Sequence, residues 1–119
     1  MIRLGFFGCL AVLAAANPDQ RFFDKRVAPI LTKRCLACHN EQLKNGNISF
    51  LDRDSLIKVI TPGDPKASKL IDTLRHDGDI QMPPGPKLPS REIAILTEWI
   101  KRGAVWGTKL HPLAPPHPP

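Results

Sequence analysis

Tyrosine is missing from this chain, and aromatic side chains of any kind are few: five phenylalanines and two tryptophans in 119 residues. A core of this size is marginal by itself. Methionine is almost as scarce, with Met82 the one methionine after Met1. Cysteine occurs three times, too seldom for a disulfide scaffold. After residue 16 there is no long apolar run, which excludes a later membrane-spanning helix. No internal repeat is visible. Turn-formers, by contrast, are plentiful. Eight glycines and 13 prolines make a good part of the chain turn and loop. The length suits one domain. The formal charge of +6 points to acidic partner proteins or membrane headgroups. Nucleic acid is set aside, because the lysines and arginines are spread along the chain and no nucleic-acid motif is present.

The first residues read as an export signal. Met1-Ile2-Arg3 gives a positive start, Leu4 to Ala16 is an unbroken run of apolar and small residues, and Ala14-Ala15-Ala16 offers a cleavage site before the polar Asn17. Thirteen such residues are too short for a comfortable membrane span. Residues 1–16 are therefore expected to be a signal peptide, which takes Cys9 away with it and leaves one cysteine pair. Apolar residues continue past Cys9, unlike a lipoprotein cysteine, which ends its apolar segment.

Helical periodicity governs much of the chain after residue 19. Phe22, Phe23, Val27, Ile30 and Leu31 recur at intervals of three and four, which predicts a helix from Gln20 to Arg34 with Asp19 as N-cap. Pro29 should kink it or begin a second segment. Asn45-Gly46 is a turn signal, and Ile48-Ser49-Phe50 alternates like a short extended piece. Asp52 is placed to cap a helix through Lys58 that buries Leu56 and Val59. Asp64-Pro65 should start a helix running to Arg75, with Leu70, Ile71 and Leu74 inward and Gly78 beyond its end. Ile80 to Pro89 is too rich in proline for regular structure. Ser90 should cap a last helix that carries Ile93, Leu96, Trp99 and Ile100 and ends at Gly103. Phe22 or Phe23 is expected to meet Trp99 where the first and last helices cross, and Val105 and Trp106 to fold back on the domain. Beyond Gly107 the chain reads as an extended tail.

The chemistry is concentrated in Cys35-Leu36-Ala37-Cys38-His39. This is the spacing of c-type haem attachment. Two thiols one turn apart can reach the two vinyl groups on one porphyrin edge, and the imidazole next in sequence becomes the proximal ligand. The alternatives are weaker. A disulfide over two intervening residues is strained and staples nothing. Tetrahedral zinc needs two further ligands, and His76, His111 and His117 are the histidines left to give them. A thioredoxin-type pair comes after a strand, whereas here a helix comes first. Covalent haem also agrees with export, because it is attached outside the cytoplasm, and its propionates would lower the net charge by about two. For the other face of the iron, Met82 is the available sulfur, in a loop stiffened by Pro83 and Pro84. His76 is the competing ligand, read more simply as a solvated histidine at a helix end.

The whole pattern resembles class I cytochrome c, and more narrowly the planctomycete-type cytochrome c domain. The matching stretches are Phe22-Phe23 to Pro29-Ile30-Leu31, Cys35 to His39, Asn45-Gly46-Asn47-Ile48, Pro62-Gly63-Asp64-Pro65 with Ser68 and Leu70, Gln81-Met82-Pro83-Pro84, and Trp99-Ile100 through Gly103-Ala104-Val105-Trp106. The resemblance implies an all-α fold of three to four short helices wrapped around one covalent haem c. It also implies thioethers at Cys35 and Cys38, and iron ligation by His39 and Met82. One departure stands out. Many class I cytochromes place a proline soon after the histidine, and its carbonyl accepts the imidazole proton. Here Asn40-Glu41-Gln42-Leu43-Lys44 occupies that stretch, so the sequence names no acceptor.

The expected organisation is a signal peptide at 1–16, a cytochrome c domain at 17–106 and a proline-rich tail at 107–119. The expected function is a periplasmic mono-haem carrier of single electrons, without turnover of its own, serving redox partner proteins with acidic docking surfaces. Three alternatives accompany it: a haem with a labile sixth ligand acting as weak peroxidase or gas binder; the electron-transfer part of a truncated or split larger oxidoreductase; and a zinc or dithiol module without haem. In relatives the domain is usually the N-terminal part of a longer secreted protein.

Overall fold

The computed structural model describes residues 17–40, 43, 45–51, 53–108 and 110. The expected signal peptide, the cap at Asp52 and the tail from His111 onward, with His117, lie outside the described residues. Within them the chain is helical and contains no β-strand, as an all-α domain requires.

Helix α1 (Pro18–Phe22), a π-helical turn (Phe23–Val27) and α2 (Ala28–Arg34) succeed one another without a break. Asn17, not Asp19, is the cap. Its side-chain oxygen accepts from the Asp19 amide at 2.7 Å, and Pro18 fits the first helical position, where its missing amide is not needed. Pro29 begins a second segment, as one of the two expectations had it. It occupies the first turn of α2, and the backbone widens just before it, with the Ala28 amide donating to the Phe23 carbonyl five residues back.

Helix α3 is short (Arg53–Leu56), and the chain tightens through residues 57–59 with Lys58 donating to Ser55 and Val59 to Leu56. The helix expected over 65–75 is instead two pieces: a 3₁₀ turn (Pro65–Ala67) and α4 (Lys69–Arg75). Asp64 caps the first piece as expected, accepting from Lys66 and Ala67. The division falls at Ser68, which is extended and fully buried. Its hydroxyl donates to the Asp64 carbonyl at 2.9 Å and accepts from the Thr61 amide at 2.9 Å. A serine that bonds to nearby backbone in this way competes with helix continuation. Helix α4 ends not at a glycine but at His76, in the left-handed conformation (φ 60°).

Helix α5 (Ser90–Lys101) begins after Pro89. Ser90 is its first residue rather than its cap, a position that Pro89 takes without a side-chain capping bond. Its other end is as expected. Gly103, with φ 104°, donates to Ile100, and Ala104 donates to Trp99, so the last carbonyls are satisfied by the two residues after Arg102.

The crossing of the first and last helices holds the molecule together. Phe23 and Trp99 are buried with ring centroids 5.8 Å apart, and Trp106 folds back to within 4.6 Å of Phe23. Phe22 instead lies under the Arg102 guanidinium, 4.1 Å from the ring centroid. The Trp99 indole N–H donates to the Val105 carbonyl at 2.9 Å, which fixes the return of the chain. In the stretch read as tail, Thr108 bonds through its amide and hydroxyl to Asp24, and Leu110 packs on the core. Gly107 makes that approach possible, because a Cβ there would overlap the Asp24 carboxylate.

Candidate functional site

The end of α2 delivers the cysteine motif. Beyond Arg34 the chain keeps turning: Cys35 and Leu36 donate to the Leu31 carbonyl, and Cys38 and His39 donate to the Cys35 carbonyl. Leu36 points into the core and is fully buried, which leaves half-buried Cys35 and exposed Cys38 on the other side. Both thiols line one cavity of about 290 Å³, together with Leu74, Pro83, Pro84 and Leu88. A second cavity of about 250 Å³ is walled by Ile48, Val59, Lys69, Thr73 and Ile80. His39, Asn45, Phe50, Leu70 and Met82 belong to the walls of both. The two cavities are thus neighbours that share His39 and Met82 in their walls, and those walls are mainly apolar.

The segment 45–50 holds His39 in place. Asn45 donates to the Cys38 carbonyl at 3.0 Å and Phe50 to the His39 carbonyl at 2.7 Å. Gly46 makes the bend between them with φ 67°, a conformation that favours glycine. The tight turn falls at 45–47, where Asn45-Gly46 signals it, and Ile48 and Ser49 follow it outside any helix or turn. Its product is the Ile48 carbonyl set 3.2 Å from His39 Nδ1. A carbonyl only accepts, so Nδ1 carries the proton and Nε2 keeps the lone pair that a metal needs. The acceptor missing from the sequence after His39 is therefore backbone nine positions further on. The Phe50 ring lies 5.1 Å from the imidazole. Buried Asn40 braces the intervening loop, donating to the Leu36 carbonyl at 2.6 Å and accepting from the Leu43 amide at 2.8 Å.

Met82 is positioned from α4. Its amide donates to the Thr73 carbonyl at 3.0 Å, and its carbonyl accepts from His76 Nε2 at 3.1 Å. His76 is half-buried rather than solvated, and its Nε2 is directed at Met82.

The charges beside the motif are organised as well. Arg34 forks onto Glu92, with Nε to Oε1 at 2.9 Å and the second pair at 3.1 Å. This bond holds the Glu92 carboxyl below its ordinary range, against an opposing effect of burial. Burial pushes the Cys35 thiol up to about 12, although the Arg34 charge pulls the other way. Among the described residues, no three His, Cys, Asp or Glu side chains stand together as a metal cluster.

These residues fit a haem of the c type: a thiol pair and a thioether lining one cavity with an imidazole whose Nδ1 is committed, among mainly apolar walls. The comparison with known families agrees. Residues 35–86 match the family model described as Planctomycete cytochrome C, which supports a planctomycete-type cytochrome c domain. The family binds haem c covalently and transfers electrons. The match runs from Cys35 to Pro86, so it contains the cysteine motif and Met82 and leaves out the crossing helices. No curated protein and no solved structure matches the chain. No described helix is long and apolar enough to cross a membrane.

The Ile48 carbonyl, Asn40, the His76 link to Met82 and the Arg34–Glu92 fork are not legible in the sequence. A backbone carbonyl has no residue identity to read. Asn40 bonds at local spacings, to Leu36 and Leu43, but any asparagine could do so and its type alone does not flag it. The other two links join residues whose spacing fits no local motif.

Proposed function

We propose that residues 17–106 form an exported mono-haem cytochrome c that carries single electrons between redox partner proteins. Cys35 and Cys38 give the thiols for covalent attachment, His39 Nε2 the proximal ligand and Met82 the distal sulfur. The observation that carries this reading is the shared wall: His39 and Met82 line both cavities, and the two cysteines line one of them. A haem bound there supplies a one-electron ferric/ferrous couple, with the soft thioether favouring the ferrous state. The chain's own part is to hold and shield. The Ile48 carbonyl fixes the His39 tautomer and orients its ring. Phe50, Leu70 and Leu74 line the cavity at the cysteines and make its wall apolar. If His39 and Met82 both hold the iron, no position would be left for a substrate, and the domain would act as a carrier rather than a catalyst.

The readings without haem are less favoured. A reactive dithiol needs a lowered thiol pKa, and that of Cys35 is raised. Zinc finds no cluster of ligands among the described residues. The test against a labile sixth ligand is Met82→Ala in the haem-loaded protein. Carbon monoxide and cyanide should bind slowly to wild type and rapidly to the variant. Rapid binding to both alike removes Met82 as ligand and makes the gas binder or weak peroxidase the better account.

A further inference from the structure

The C-terminal turn of α4 grips Met82 by both ends of its peptide. The Met82 amide donates to the Thr73 carbonyl at 3.0 Å, and His76 Nε2 donates to the Met82 carbonyl at 3.1 Å. The Gln81 side-chain amide donates to the His76 carbonyl at 3.2 Å, which closes a small ring of contacts. His76 reaches this position at a conformational cost. Its φ of 60° and ψ of 30° lie in the left-handed region, uncommon for a residue with a side chain. A helix stop alone is served better by glycine or asparagine. What histidine adds is the length and the N–H that meet the Met82 carbonyl.

We propose that His76 is a positioning residue: it anchors the Met82 backbone so that the thioether stays directed into the space opposite His39. The inference rests on the reading of Met82 as distal ligand and deepens it. Nothing in the backbone of Ile80 to Pro89 is helical or strand, so Met82 takes its placement from α4 rather than from its own segment. Without His76 the Thr73 contact would hold one end of the peptide and leave the other free to turn the side chain out.

Two variants of the haem-loaded protein separate positioning from a structural role. His76→Asn suits the left-handed backbone but is too short to reach the Met82 carbonyl. His76→Gln keeps an N–H at nearly the same reach. Three properties are measured on each: the weak far-red absorption band of methionine-ligated ferric haem, the rate of cyanide binding, and the thermal midpoint. For His76→Asn the midpoint should hold or rise, while the band weakens and cyanide binds roughly tenfold faster, the factor that one lost hydrogen bond is worth. His76→Gln should stay within about twofold of wild type in rate and keep the band. A wild-type band and rate in His76→Asn, alongside loss of the band in Met82→Ala, would overturn the proposal and leave the ligand reading intact. A fall in midpoint that accompanies the spectral change in both variants would make His76 merely structural. If Met82→Ala itself leaves the band unchanged, the ligand reading fails and the proposal falls with it.

Discussion

One ring nitrogen of His39 is committed, and that commitment is the chemical centre of the candidate site. Nδ1 faces the Ile48 carbonyl, so Nε2 is the nitrogen left with a lone pair. The candidate residues Cys35, Cys38, His39 and Met82 are named by the sequence itself, because the cysteine–histidine motif is local and Met82 is the one methionine after Met1. The partner of Nδ1 is not, since any residue at position 48 offers the same carbonyl. Glu92 is hidden for another reason: on sequence it is one more charged residue in the first turn of a helix. In the fold it takes both prongs of Arg34, the residue before Cys35, and so ties the end of α2 to the start of α5. Its pKa is lowered in the folded state, chiefly by the Arg34 hydrogen bond. By linkage, its contribution to stability is complete above the ordinary carboxylate range of about 4.3 and is lost as pH falls through the lowered folded value. Thermal unfolding measured from about pH 6 to about pH 2 should therefore show a steep acid-side loss of stability in wild type. The loss should be shallower in Glu92→Gln, with a lower midpoint at neutral pH. Parallel curves for the two proteins would assign the acid sensitivity to other carboxylates.

Among the elements, the crossing of α1–α2 with α5 is legible because it rests on large aromatic side chains at helical spacing. Phe23, Trp99 and Trp106 meet there, with centroids between 4.6 and 6.1 Å apart. Truncating Phe23, the ring with no exposure, should cost about 3–5 kcal/mol, as buried phenylalanines do. Urea unfolding of Phe23→Ala measures it, and a loss below about 1 kcal/mol would mean that the crossing is not the main tie. Element boundaries are harder to read. The pattern Leu70, Ile71, Leu74 marks α4 correctly, yet periodicity cannot say that Ser68 leaves the helix to bond with Thr61 and Asp64. Nor can it choose Asn17 over Asp19, since both are good caps and the choice depends on Pro18 standing between them. Even so, the π turn before Pro29 keeps one continuous stem running to Cys35, and that is the part needed to predict where the thiols emerge.

At the scale of the molecule, the scarcity of aromatic residues and the small core have a single explanation. The described core leaves two neighbouring, mainly apolar cavities that share His39 and Met82, and the proposed haem would complete it there. Short helices and many prolines agree with this, because the cavity walls come from residues 45–50 and 80–88 as well as from α4. The overall class is readable from the sequence because its motifs are local and ordered along the chain. The way those walls are locked is not, because it runs through backbone atoms and long-range hydrogen bonds. The most direct test is an alkaline pyridine haemochrome spectrum of the exported protein, recorded before and after acid–solvent extraction of free haem. A single haem per chain, with the band positions of two thioether bonds and colour that stays with the polypeptide, is the predicted result. A colourless or zinc-loaded product, or a haem that extracts completely, would contradict it.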